Sequence, residues 1–257
     1  MSRKPFLLVA VVASLLAFSF GAAQADAAEI TVSAAISLKN AFEEMGKLYE
    51  ATNKGAKVLF NFGASGDLMR QLEGGAPVDV FASAAQKDMD EADKKGLLLS
   101  GSRVNFAANT VVLVLPAASK APIRSFEDLK ADGINSIAVG NPKTVPAGRY
   151  AEEVFTYYKI LDPLRGKLIF AENVRQVLDY VARDEVDAGV VYSTDAMARA
   201  REVRIAVVAP DRSHKPAIYP IAVVKSTRNE SPAKAFISLV VSREGQRILE
   251  KYGFKTP

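Results

Sequence analysis

The stretch ITVSAAISLKNAF, residues 30–42, decides the fold. An apolar, β-branched run stops at the small-residue turn Ala34-Ala35-Ile36-Ser37, and Leu38, Phe42, Met45 and Tyr49 then recur at helical spacing over residues 37–51. Three more junctions of this kind follow, at Phe62-Gly63-Ala64-Ser65-Gly66, Val145-Pro146-Ala147-Gly148 and Ala171-Glu172-Asn173-Val174. A helix start carries unpaired backbone N–H groups and the positive end of the dipole, so each junction is a seat for an anion. Small residues let a backbone amide reach a ligand without a side chain in the way. Several such starts can converge on one ligand.

Outward from these junctions the pattern keeps alternating. Strands are expected at 29–33, 57–62, 78–83, 136–139, 168–170 and 188–192, with helices at 67–73, 85–95, 148–158 and 174–183 between them. Such alternation predicts an α/β fold with parallel sheets covered on both faces. Two longer apolar runs, Asn109–Leu115 and Ala217–Val224, are expected to run from one lobe into the other, since no low-complexity linker separates two domains. Residues 232–252 read as helical with a bend around Ser242–Gly245. Two α/β lobes joined in this way form a clam whose cleft lies at the carboxyl ends of the strands.

The N-terminus reads as a targeting segment. Arg3 and Lys4 precede the apolar run Phe6–Phe20, and Ala23-Gln24-Ala25 offers a small-x-small cleavage site before Asp26, so residues 1–25 are expected to be a secretory signal peptide. The run is shorter than the roughly 20 apolar residues that cross a bilayer. No cysteine is present to carry a lipid, so a soluble protein of the periplasm, without membrane insertion, is expected. Lys and Arg number 33 against 29 Asp and Glu. Loss of Arg3 and Lys4 leaves 31 against 29, scattered without the basic stripe that a nucleic-acid partner requires. Without disulfides, stability must come from a packed core, which 49% hydrophobic residues can supply.

Catalytic readings are weak. Gly63-Ala64-Ser65-Gly66-Asp67 has Asp67 where a nucleophile elbow needs glycine, and the single histidine, His214, sits in the polar run Asp211–Lys215. A serine hydrolase built on Ser65 would depend on that histidine. One histidine and no cysteine leave no transition-metal ligand set with a recognisable spacing. Tyr157 and Tyr158, adjacent on a helix, point about 100° apart, and one of them is expected in the core. Ser37 and Ser65 are open to two readings, as N-caps of their own helices or as cleft-facing donors. Tyr192, ending the run Val190-Val191-Tyr192, is either a sheet aromatic or a strand-end residue aimed into the crevice.

The stretches GAPVDVFASAAQKDMD from Gly75, AVGNPKTVPAGRYA from Ala138, AENVRQVL from Ala171, VVYSTDA from Val190, YPIAVV from Tyr219 and KYGF from Lys251, taken with residues 30–42, stand in a specific order and spacing. In these the chain resembles the periplasmic molybdate-binding proteins of molybdate ABC importers, over essentially its whole mature length. The resemblance implies a two-lobed type II periplasmic binding fold, each lobe a central sheet flanked by helices. Its boundaries would be 29–108 plus 225–257 for lobe I and 109–224 for lobe II. It implies a monomer that is not an enzyme and has no cofactor, captures molybdate or tungstate, and delivers it to a membrane permease. Carried over by position, Ser37 and Ser65 offer hydroxyl and N–H, Ala147 and Val174 offer N–H, and Tyr192 its phenol; no metal is coordinated directly. Relatives carry a run of serines around Ser65 where this chain has a single one followed by Gly66-Asp67, and Asp67 is expected to turn outward at its helix start. Ser37→Ala and Ser65→Ala are expected to weaken anion binding with little loss of fold. The alternatives are a receptor for another oxyanion or small organic anion, such as sulfate or phosphate, and, more remotely, an exported serine hydrolase.

Overall fold

The computed structural model describes residues 29–257; the signal segment expected at 1–25 lies outside the described residues. In chain order, β1 (Glu29–Ala35), α1 (Lys39–Thr52), β2 (Lys57–Gly63), α2 (Ser65–Glu73), β3 (Val80–Ala82), α3 (Gln86–Lys94) and β4 (Val104–Asn109) come first. They are followed by β5 (Val111–Pro116), β6 (Ile137–Gly140), α4 (Pro146–Tyr157), α5 (Leu161–Leu164), β7 (Leu168–Ala171), α6 (Val174–Ala182), β8 (Ala188–Tyr192), α7 (Ser193–Ala198) and β9 (Val203–Val208). The chain closes with β10 (Ala217–Val223), α8 (Glu230–Val241) and α9 (Arg243–Lys251). The helix bend expected near Ser242 is a break, where the Ser242 hydroxyl accepts from Gly245 N–H and caps α9.

The strands form two five-stranded sheets, ordered β2-β1-β3-β10-β4 and β7-β6-β8-β5-β9. Parallel pairing holds for β1 with β2 and β3 and for β6 with β7 and β8, as the alternation predicts. The sheets are nevertheless mixed, because β10 runs antiparallel to β3 and β4, and β5 antiparallel to β8 and β9. These antiparallel strands are the ones that enter a sheet from the other lobe, so no covering crossover helix sets their direction.

The run expected as one crossing strand at 109–115 is two strands. β4 ends at Asn109 in the first sheet and β5 begins at Val111 in the second, with Thr110 alone between them. The second passage is the connection 209–216, and β10, expected with the second lobe, pairs in the first sheet with β3 and β4. Sequence runs report burial but not which sheet a strand joins, and β10 is buried from Tyr219 to Val223 in either case. β9 was not expected at all and β4 only at its last residue, Asn109; both have half-exposed positions that blunt the apolar signal.

Each lobe has its own packed interior. In the first, Phe42 is fully buried with ring centroids 5.8 Å from both Phe106 and Phe236. In the second, β5 is buried along its whole length beneath α4 and α6. Tyr158 stacks on Phe126 while its neighbour Tyr157 is exposed, as the helical spacing implies for that pair.

Candidate functional site

All four strand-to-helix junctions meet where the two lobes face each other. Ser37, Ser65, Ala147, Val174 and Tyr192 line one cavity, together with Ala35, Ile36, Gly63, Ala64, Ala84, Val145 and Pro146. The first two come from the first lobe, after β1 and β2; the other three come from the second, after β6, after β7 and at the end of β8. The enclosed space is small, little more than a water-sized sphere needs, so the two lobes nearly meet around it. No charged side chain lines it.

At three of these junctions one backbone donor is left unspent. At α6 the Asn173 side chain caps the helix by accepting from Arg175 N–H and Gln176 N–H, both at 3.0 Å, which uses the second and third amides and leaves that of Val174. At α4, Pro146 has no N–H, and the amides of Gly148 and Arg149 both bond to Val145 O, which leaves Ala147. That helix start sits hard against its strand, since a Cβ on Gly148 would fall 1.9 Å from Gly140 O. At α2 the amides of Asp67 and Leu68 go to Ala64 O and that of Gly66 goes to Thr144 O, which leaves Ser65. Among the described residues the N–H groups of Ser37, Ser65, Ala147 and Val174 have no acceptor.

The hydroxyls are oriented by the same logic. Asn109 Oδ1 accepts the Thr110 N–H at 2.9 Å, which fixes the amide, so its Nδ2 donates to Tyr219 Oη at 3.1 Å. Tyr219 Oη is also 3.1 Å from Ser37 Oγ, a bond that either hydroxyl can donate; given by the phenol, which already accepts from Asn109, it leaves the Ser37 proton for the cavity. Ser65 Oγ accepts the buried Ala84 N–H at 3.0 Å, so its proton is also available. Neither serine caps a helix, so the N-cap reading does not hold for either of them. Tyr192 Oη is buried and has no partner among the described residues. Burial holds the Tyr192 phenol well above the usual tyrosine range, so it stays a neutral donor.

Tyr192 is held in place by Asp195, fully buried, whose Oδ2 accepts the Tyr192 N–H at 3.3 Å. Arg175 Nε lies 2.6 Å from Asp195 Oδ1, and burial pushes the Asp195 carboxyl upward against that charge. Tyr219, Asn109 and Asp195, which orient the donors, were missed by the sequence reading; only the position of Asp195 three residues after Tyr192 carried a capping signal. Asp67 does turn away: it pairs with Arg70 and faces a groove with Asn141, Phe170 and Glu172 outside the cavity. His214 bonds through Nδ1 to Lys215 O at 2.7 Å and faces another surface, so Ser65 has no imidazole beside it. Among the described residues no group of acidic and histidine side chains is placed to hold a metal.

A family model described as bacterial extracellular solute-binding protein matches residues 30–255. The chain is 37% identical to the molybdate-binding protein ModA of Escherichia coli, covering 99% of each. It is 35% identical to the protein of that name in Haemophilus influenzae, over 96% of this chain and 98% of the other. The periplasmic molybdate-binding protein of Azotobacter vinelandii superposes with a TM-score of 0.80 at 25% identity, over 89% of this chain and 99% of that one.

Proposed function

The chain belongs to the bacterial extracellular solute-binding protein family, and from that premise we propose that its cavity takes one tetrahedral dianion, molybdate or tungstate, and releases it to the permease of an ABC importer. As a member it is an extracytoplasmic binding protein and not an enzyme, and it needs no cofactor beyond its cargo. The site is built from Ser37, Ser65, Ala147, Val174 and Tyr192. The lobes divide at Thr110 and at residues 209–216. The protein works as a periplasmic monomer with no nucleic-acid partner.

The observation that carries this reading is the set of unspent donors around a chargeless cavity: four amides, two oriented serine hydroxyls and the orphaned Tyr192 phenol. A buried donor without a partner costs about 1–3 kcal/mol, so the arrangement is sensible only if a ligand supplies acceptors. A dianion supplies acceptors on every side, and each hydrogen bond to it contributes about 1.5–3 kcal/mol against the cost of stripping its water. Because the donors come from both lobes, opening the cleft halves the set and lets the ion go. An anion that still carries a proton needs an acceptor, and no carboxylate lines the cavity. Phosphate is disfavoured on that ground, and sulfate on the shorter reach of its oxygens.

Titration calorimetry of the processed protein with molybdate, tungstate, sulfate and phosphate tests this. Heat and thermal stabilisation are expected with the first two and much weaker responses with the others. No response to molybdate or tungstate would overturn the proposal, and stronger binding of sulfate or phosphate would assign the protein to a different oxyanion.

A further inference from the structure

We propose that Arg149 and Asp88 form a latch across the cleft that sets how long the closed protein keeps its anion, an inference that rests on the receptor reading above. Arg149 lies on α4 two residues after Ala147, yet its guanidinium turns away from the cavity and donates from Nη2 to Asp88 Oδ2 of α3 at 2.5 Å. The two side chains are 13% and 4% exposed. Among the described residues this is the one ion pair that joins an element of the first lobe to an element of the second.

Two consequences follow from that placement. The cation nearest one of the second lobe's donor helices is neutralised by the opposite lobe instead of the ligand, so the cavity keeps its neutral lining. The pair is also made only when the lobes are together: opening returns both charges to water, at no penalty to the open form. A bond present in one state and absent in the other shifts the equilibrium between them by its whole net worth. Breaking a desolvated, hydrogen-bonded charge pair acts mainly on dissociation. The second arginine beside a donor amide, Arg175, also crosses the cleft, from Nη2 to Asn40 Oδ1 at 3.0 Å. It meets a neutral partner there, and its charge stays within its own lobe on Asp195. The geometry therefore assigns the latch to Arg149 and Asp88.

The test compares native protein with Arg149→Met, Asp88→Asn and the double variant. Release of labelled molybdate into excess tungstate is followed together with the melting temperature of the ligand-free protein. All three variants are expected to release molybdate faster by a similar factor, roughly tenfold or more, because each removes the same pair. Ligand-free melting temperatures should stay within about 2 °C of native, since the open form does not use the pair. Release at the native rate overturns the latch, as does a double variant whose factor is the product of the two single ones. The chain has no cysteine, so Lys94→Cys on α3 and Thr156→Cys on α4 allow spin labels to report the inter-lobe distance. If the native protein shows no molybdate response in release or distance, the receptor reading falls. If it responds and Arg149→Met matches it in both, the latch alone falls.

Discussion

Gly66 donates its N–H to Thr144 O at 2.9 Å, and a Cβ on Gly66 would stand 2.8 Å from both Thr144 Cα and Thr144 O. The two residues belong to opposite lobes, so the missing side chain is what lets the lobes meet beside the cavity. Gly66→Ala places a methyl group between two backbones, where neither can give way as a side-chain tip would. The cost to the closed form is about 1–3 kcal/mol, roughly a five- to 150-fold weaker Kd. The open form meets no such clash, and alanine in the first turn of α2 favours the helix. Calorimetry should find weaker molybdate binding, and thermal melting a ligand-free protein as stable as native or more so.

Tyr192→Phe removes a phenol that has no partner within the protein. The variant should lose about 1.5–3 kcal/mol of binding while the ligand-free protein melts at the native temperature or higher, because a buried unsatisfied hydroxyl disappears. Unchanged affinity would show that this phenol does not meet the ligand.

The serine variants should differ from the sequence-based expectation that they spare the fold. Ser65→Ala takes the acceptor from the buried Ala84 N–H and should cost about 1–3 kcal/mol of ligand-free stability in addition to affinity. Tyr219→Phe should weaken anion binding without touching the ion, because the Ser37 hydroxyl then loses the hydrogen-bond partner that orients it. Melting curves and titrations of the two variants measure both quantities.

The pH response follows from the buried phenols. Burial raises Tyr150, Tyr192 and Tyr219 above the ordinary value of 10.0. The unfolded chain therefore ionises these groups first. Their contribution to stability is fully present below about pH 10 and is lost as pH climbs from there toward the raised folded values. Melting temperature should fall on that alkaline side. Affinity should stay flat between about pH 6 and 9, where no group lining the cavity titrates.

Much of the fold and the donor set could be read from the sequence, because both are local. A strand that stops at Ala34-Ala35 or Phe62-Gly63 and hands over to a helix announces an anion-competent amide in the residues themselves. The resemblance then picked out Ser37, Ser65, Ala147, Val174 and Tyr192, and these do share one cavity. What could not be read depends on partners distant in the chain. The Tyr219–Ser37 bond spans 182 residues and the Arg149–Asp88 pair 61, and neither leaves a periodic trace. The sheet membership of β10 escaped for the same reason, since an apolar run looks alike in either lobe.

In the proposed receptor a doubly charged ion is held by neutral donors alone. The most direct measurement is the crystal structure of the protein soaked with molybdate, with the metal located by its anomalous signal. One peak is expected between the lobes, its oxygens in hydrogen-bond contact with the amides of Ser37, Ser65, Ala147 and Val174 and with the hydroxyls of Ser37, Ser65 and Tyr192. A peak elsewhere, or an oxygen bonded to Arg149, Arg175 or any other charged side chain, would contradict it.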